Sequence, residues 1–272
     1  MTAALRYEWR RLWTIRSTYW LIATTLGLQA VLTFLVAWGI SSEGEIEGAA
    51  EEVMSAVVTL GASFGRSPLF TAYFIAMFGV LTFGHEYRYG MIRATLTAVP
   101  DRTAVFVAKA ALTVLVAAGL SLLCSLIGMF WSWVFISETA DAVGSGEVWG
   151  VVVGATLYTV LFALWALGVT CLVRNQTGAL ALVLLVPLVV ENVLRIILQV
   201  LSTLGDNNLD EIAKVFPFDA GAQMFVGSGL AEALNEVLGY EPLSGVGGGL
   251  VMLGFVAALL AAAYALFLSR DA

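Results

Sequence analysis

The sequence predicts an all-α, polytopic integral membrane protein with six transmembrane helices, and three observations lead there. Apolar residues make up 60% of the 272, charged residues only 12%, and mean hydropathy is +0.91, whereas a soluble domain carries about 25% charged residues. Apolar runs reach, six times, the roughly 20 residues that a helix needs to cross about 30 Å of hydrocarbon. Lys and Arg are concentrated in alternate connections between those runs, as membrane orientation requires. The net charge of −7 and pI near 4.7 exclude a nucleic-acid binder, which needs a basic surface to replace phosphate counterions. Five prolines and two cysteines leave neither a disordered tract nor a disulfide scaffold.

The elements follow in order. Leu5, Trp9, Leu12 and Trp13 share one face at helical spacing and Arg6 and Arg10 another. This pattern describes an amphipathic helix in the inner membrane interface, with its cations near anionic headgroups; the alternative is an extension of the first span. The spans are predicted at 19–40, 68–85, 103–133, 149–173, 177–201 and 246–268. The first is too long for a signal-peptide core of 7–15 residues, and Ala37-Trp38-Gly39 is a poor cleavage site, so it reads as uncleaved. The second has an open outer boundary, because apolar residues already run from Val53 to Gly65 before Arg66. The third is longer than a span requires and must tilt or protrude. Before the sixth, Leu209, Ile212, Ala213 and Phe216, then Leu230, Leu234, Val237 and Leu238, have the spacing of short amphipathic helices. No repeat is visible, and residues 1–272 read as one transmembrane domain.

Charge sets the orientation. With the N-terminus inside, Arg6, Arg10, Arg11, Arg16, Arg88, Arg93, Arg102, Lys109, Arg174 and Arg270 are cytoplasmic, ten of the thirteen basic residues, against only four acids there. The outer side holds Arg66, Arg195 and Lys214 with the remaining sixteen acids. The acidity therefore belongs to the external loops, and both termini are predicted on the cytoplasmic side. Tryptophan, which prefers the headgroup level, agrees: Trp9, Trp13 and Trp20 fall at the inner interface and Trp38, Trp131, Trp133 and Trp149 at the outer one.

Catalytic chemistry is sparse. His85 is the single histidine, so a zinc site built on paired histidines is excluded. Cys124 and Cys171 stand in different spans without a ligand at metal-binding spacing and read as packing residues. A phosphate-cradling Gly-Lys pair is absent, since Lys109 and Lys214 each follow Ala, so this chain carries no nucleotide-hydrolysing P-loop. Glu51-Glu52 sits in an acidic loop with Glu43, Glu45 and Glu47 and reads as solvated. The glycines from Gly245 to Gly249 read as a flexible lead-in to the last span or as close helix packing.

The segment after the second span is the most informative. Glu86, Gly90, Leu96, Pro100, Arg102 and Lys109 form a Glu, a Gly four residues on, a short apolar-basic helix, then Pro-x-Arg and a Lys. This resembles the first cytoplasmic loop of permease subunits in the type-2 family of ATP-binding cassette (ABC) exporters, with Met91 in place of the common Thr. Phe216-Pro217-Phe218-Asp219-Ala220 is similar to that family's Leu-Pro-x-x-Ala stretch, and the order of spans agrees along the whole chain. The resemblance implies a coupling helix that docks on a separate ATPase subunit, present in two copies, which holds ATP and Mg, while this chain binds no cofactor and pairs with a second permease, identical or related. It also implies short re-entrant helices before the last span and export of an apolar or amphipathic substrate. Ile92, Leu96 and Val99 recur at helical spacing as the apolar anchor, with Arg88, Arg93 and Arg102 as a polar rim; Gly90 permits a sharp turn and Pro100 ends the helix. Alternatively these cations serve topology alone.

A second candidate lies in the fifth span, where Glu191, Asn192 and Arg195 follow Pro187. A charge at mid-membrane costs about 2.5–3.5 kcal/mol on insertion scales, so these groups should face protein or water. Glu191 and Arg195 are one turn apart and can pair, and Pro187 removes a backbone hydrogen bond. They line a translocation path or dimer seam, or form a structural ion pair. Gln29, with Thr24, Thr25 and Thr33, hints at a polar stripe on the first span. The rival classes are a polytopic membrane enzyme, either a lipid transferase or an intramembrane protease, and a non-transporting sensor or assembly factor.

Overall fold

The computed structural model describes residues 2–43, 50–64, 67–68, 70–205, 209–225 and 243–269. The chain begins with α1 (Thr2–Thr14), breaks at Ile15, and continues as α2 (Arg16–Glu43). The apolar run from Val53 forms a separate ten-residue helix, α3 (Ala50–Thr59), instead of extending the second span. Two residues, Ser63–Phe64, then pair antiparallel with Ser67–Pro68, so the next helix starts later than the apolar pattern suggests. It is α4 (Phe70–Arg88), followed by the short α5 (Ile92–Ala98) and the 34-residue α6 (Arg102–Phe135). A 3-10 helix, Ser137–Gly144, leads into α7 (Gly146–Val173). The next long helix is α8 (Gln176–Leu185) and α9 (Asn192–Gly205) joined by a π turn at Val186–Glu191. A 3-10 helix at Leu209–Val215 and α10 (Pro217–Ala222) precede the last helix, which we label α11 (Gly245–Ser269). The stretch with Leu230, Leu234, Val237 and Leu238 lies outside the described residues.

Five of the described helices are long and apolar enough to cross a membrane: Arg16–Ser42, Arg102–Phe135, Gly146–Val173, Gln176–Gly205 and Gly245–Ser269. The chain is thus an all-helical, multi-pass integral membrane protein, with one two-residue strand pair. The nineteen-residue α4 is not among the five, because its last turn, His85-Glu86-Tyr87-Arg88, is polar.

At the centre stands α7, packed by α4, α6 and α11. Tyr158, Phe162 and Trp165 are buried there with Tyr73 and Phe218, and Phe162 and Trp165 stack at 5.7 Å. The α4–α7 approach is close: a Cβ at Gly79 would strike the Ala163 carbonyl oxygen. The outward faces of the peripheral helices are apolar, as lipid-facing surfaces are. In α9 no residue is buried, and Val193, Leu194, Ile196, Ile197, Val200 and Leu201 point outward.

Candidate functional site

The end of the bundle that carries α1 and α5 is held by buried charges. Glu8 and Arg11 stand three apart on one face of α1, Glu86 in the last turn of α4, and Lys109 two turns into α6. Lys109 is fully buried, and its ammonium donates to Glu8 Oε1 (2.7 Å), Glu86 Oε1 (2.8 Å) and the Thr82 carbonyl (3.1 Å), which uses all three of its donors. Arg11 pairs with Glu86 and with Glu8 Oε2 at 3.3 Å, and donates to the Thr82 carbonyl at 2.6 Å. Thr95 of α5, also buried, donates to Glu86 Oε1 at 3.2 Å. Two acids and two bases cancel, so no net charge is buried, the condition under which such a cluster is tolerated. Lys109 also lies 5.1 Å from the Phe83 ring centroid, a favourable cation–π placement.

Local chemistry explains how α5 is laid over this cluster. α4 ends in a Schellman motif: Met91 N–H bonds the Glu86 carbonyl at 2.8 Å, Gly90 N–H reaches the Tyr87 carbonyl at 3.5 Å, and Gly90 has φ +64°, the left-handed geometry glycine adopts without penalty. Asp101 Oδ1 caps α6 by accepting from Ala104 N–H at 3.0 Å. Between these stops, α5 turns one face inward.

That inward face bears on the expected docking surface. Ile92, Leu96 and Val99 are half-buried against the chain's own Phe83, Phe106, Leu167 and Phe267, so part of the apolar stripe is already covered within the chain. A seven-residue helix crossing the end of an apolar bundle buries its stripe in its own molecule first. Glu86 is likewise buried, at 2% exposure, inside the charge network. Arg102 is no rim residue either: it donates to the Phe267 and Leu268 carbonyls at 3.3 and 3.1 Å, binding the loop to the end of α11. What faces outward is Arg88, Tyr89, Gly90, Met91, Arg93, Ala94, Thr97 and Pro100, with Tyr89 62% and Met91 47% exposed.

On α1, Ala4 and Glu8 are buried and Arg11 is half-buried, while Leu5, Arg6, Trp9, Arg10 and Trp13 are exposed. Trp13 packs on Trp9 at 5.6 Å and on Tyr19 at 5.9 Å, and Tyr19 donates to the Trp13 carbonyl at 2.8 Å, fixing α1 against α2.

The fifth-span residues meet a partner that spacing alone did not supply. Arg195 pairs with the buried Asp219 of α10 at 2.6 Å. The Glu191 carboxylate accepts the Phe218 N–H at 3.0 Å, capping the start of α10, whose own Phe216 offers no side-chain cap. Both side chains therefore clamp α10, in place of the i,i+4 pair expected between them. Pro187 is buried in the π turn, and Asn192 donates to the Pro187 and Leu188 carbonyls at 3.2 and 2.9 Å, satisfying acceptors in the widened turn. Asn192 Oδ1 in turn accepts from Arg195 at 3.0 Å. Gln29 is buried against Gly61 and Thr71, where a methyl at Gly61 would collide with both side chains, and forms no hydrogen bond to this cluster among the described residues.

Glu8 and Arg11 had no site role in the sequence reading, and Lys109 and Asp219 entered it only as members of motifs. The signal for Lys109 was present: a lysine within an apolar helix needs a partner. The fold and its buried network define the class, a multi-pass integral membrane protein in which one end is locked by paired charges. Known proteins add nothing narrower, since no family model and no curated protein matches the chain.

Proposed function

We propose that the chain is the membrane subunit of an ATP-driven exporter of the type-2 ABC kind, with α4 as the second of six spans. In this reading both termini face the cytoplasm of a bacterial cell, and ATP and Mg are held by a separate ATPase present in two copies. A second permease, identical or related, completes the path. The loop motif from Glu86 to Lys109 supports it, and one structural observation carries it: the exposed surface of α5 rests on the buried network. Thr95 ties α5 to Glu86, and Glu86 ties α4 to Lys109 of α6 and Arg11 of α1. A push on the outward face of α5 thus reaches three helices through groups with little room to slide. Arg93 of α5 stands there beside Arg88 at the end of α4 and Tyr89 and Met91 of the turn between them, all exposed, and Tyr, Met and Arg are enriched in protein interfaces.

The test uses those exposed residues, because a charge at Leu96 would disrupt the fold. The full chain is purified in mild detergent from its native membrane, and co-purifying proteins are sequenced for a Gly-x-x-x-x-Gly-Lys-Ser/Thr motif. The expectation is that the wild type retains such an ATPase and that the Met91→Asp/Arg93→Glu variant loses it while keeping its thermal midpoint. Equal retention by the variant, or no P-loop protein with the wild type, refutes the proposal.

A further inference from the structure

α1 presents three different faces. Ala4, Glu8 and Arg11 turn into the bundle, and the acid and base among them are committed to the buried network. Leu5, Trp9 and Trp13 form an exposed apolar and aromatic strip, 39–41% accessible, which is the composition that settles at headgroup depth. On the remaining face Arg6 and Arg10 stand one turn apart, both exposed, and neither has an ion-pair partner among the described residues. With Tyr7 and Thr14 they share the exposed side of α1. Like charges at i,i+4 repel, and the one acid on the helix, Glu8, points the other way. Among the described residues the cationic pair stands without a counter-charge, at the depth where the tryptophans place it.

We infer that Arg6 and Arg10 form a binding site for the phosphate group of an anionic phospholipid in the leaflet that holds α1. Two guanidinium groups on adjacent turns offer the forked donors that phosphate oxygens accept, and Trp9 and Trp13 sit beside the acyl chains. The site rests on the chain's being a membrane protein and is independent of transport.

The experiment reads lipid retention. The purified full chain is equilibrated in mixed micelles with equal phosphatidylglycerol and phosphatidylcholine, and bound lipid is counted by mass spectrometry after gel filtration. The wild type retains phosphatidylglycerol in preference. Arg6→Gln and Arg10→Gln each lower that preference by about fivefold, the equivalent of about 1 kcal/mol for each basic residue near an anionic surface. Arg6→Lys/Arg10→Lys keeps most of the charge-dependent part. Both glutamine variants keep the wild-type thermal midpoint in nonionic detergent, as expected for exposed side chains. An unchanged lipid ratio in the Arg6→Gln/Arg10→Gln variant overturns the site. Full displacement of the lipid by millimolar inorganic phosphate also overturns it, because the ligand would then be a soluble anion.

Discussion

Replacing Lys109 by Met keeps most of the side-chain volume and removes only the ammonium. Its three acceptors then lose their donor, and the Glu8 and Glu86 carboxylates share Arg11 as their single cation. The cluster passes from neutral to a net negative charge in a site where Lys109 itself has no solvent contact. Breaking a buried ion pair from one side costs about 3–5 kcal/mol, and that loss is expected in reversible denaturant titrations of the purified chain in detergent. Glu8→Gln alone is also destabilising, since it leaves Lys109 and Arg11 facing Glu86. On the Lys109→Met background, however, the same change restores neutrality, so there Glu8→Gln should cost about 1–2 kcal/mol less than it does alone, within the usual range of coupling between contacting residues. If Lys109→Met costs less than about 1 kcal/mol, or if Glu8→Gln adds its full cost to it, the network is not a coupled unit and the argument for it fails.

The remaining predictions concern the joints around it. Gly90→Ala, at φ +64°, should cost about 1–2 kcal/mol through left-handed strain, read in the same titrations. Arg195→Met strands the buried carboxylate of Asp219 and should cost about 3–5 kcal/mol, with Asp219→Asn recovering part of it; additive losses would show that the two are not partners. Gly79→Ala drives a methyl into the Ala163 carbonyl and should lower stability by about 1–3 kcal/mol, as overpacking does, detectable as a lower thermal midpoint.

Helix positions were legible because lipid permits few alternatives: apolar runs of span length define α2, α6, α7 and α11 to within a few residues. The second span was harder, since the apolar run from Val53 to Gly65 is interrupted only at Arg66, and the pattern does not say that α3 ends at Thr59 or that a strand pair precedes Phe70. Gly90 and Pro100 could be read, because backbone geometry is a property of a few adjacent residues. The face of α5 could not. Ile92, Leu96 and Val99 announce an apolar stripe, and periodicity carries no information about whether the stripe meets another protein or Phe106 and Phe267 of the same chain. The partners of Lys109 and Arg195 were hidden for a similar reason: Glu8 is 101 residues from Lys109 in sequence, and only the fold brings them together.

The π turn at Val186–Glu191 has a consequence for phase. An α-helix turns by about 100° per residue, and a π bulge amounts to one extra residue inserted into it. α9 is therefore rotated relative to α8 by about 100° from the setting an unbroken helix would give. With that rotation, α8 turns Ala179 and Val183 into the core while Glu191 and Arg195 meet α10. Deleting one residue together with the bulge would leave α9 in the same phase, whereas rewinding the turn as a regular α-helix with every residue kept would hold each apolar residue in the membrane and yet swing Arg195 by about 100° away from Asp219. Composition would hardly change, but the register between the two halves of the helix would be lost.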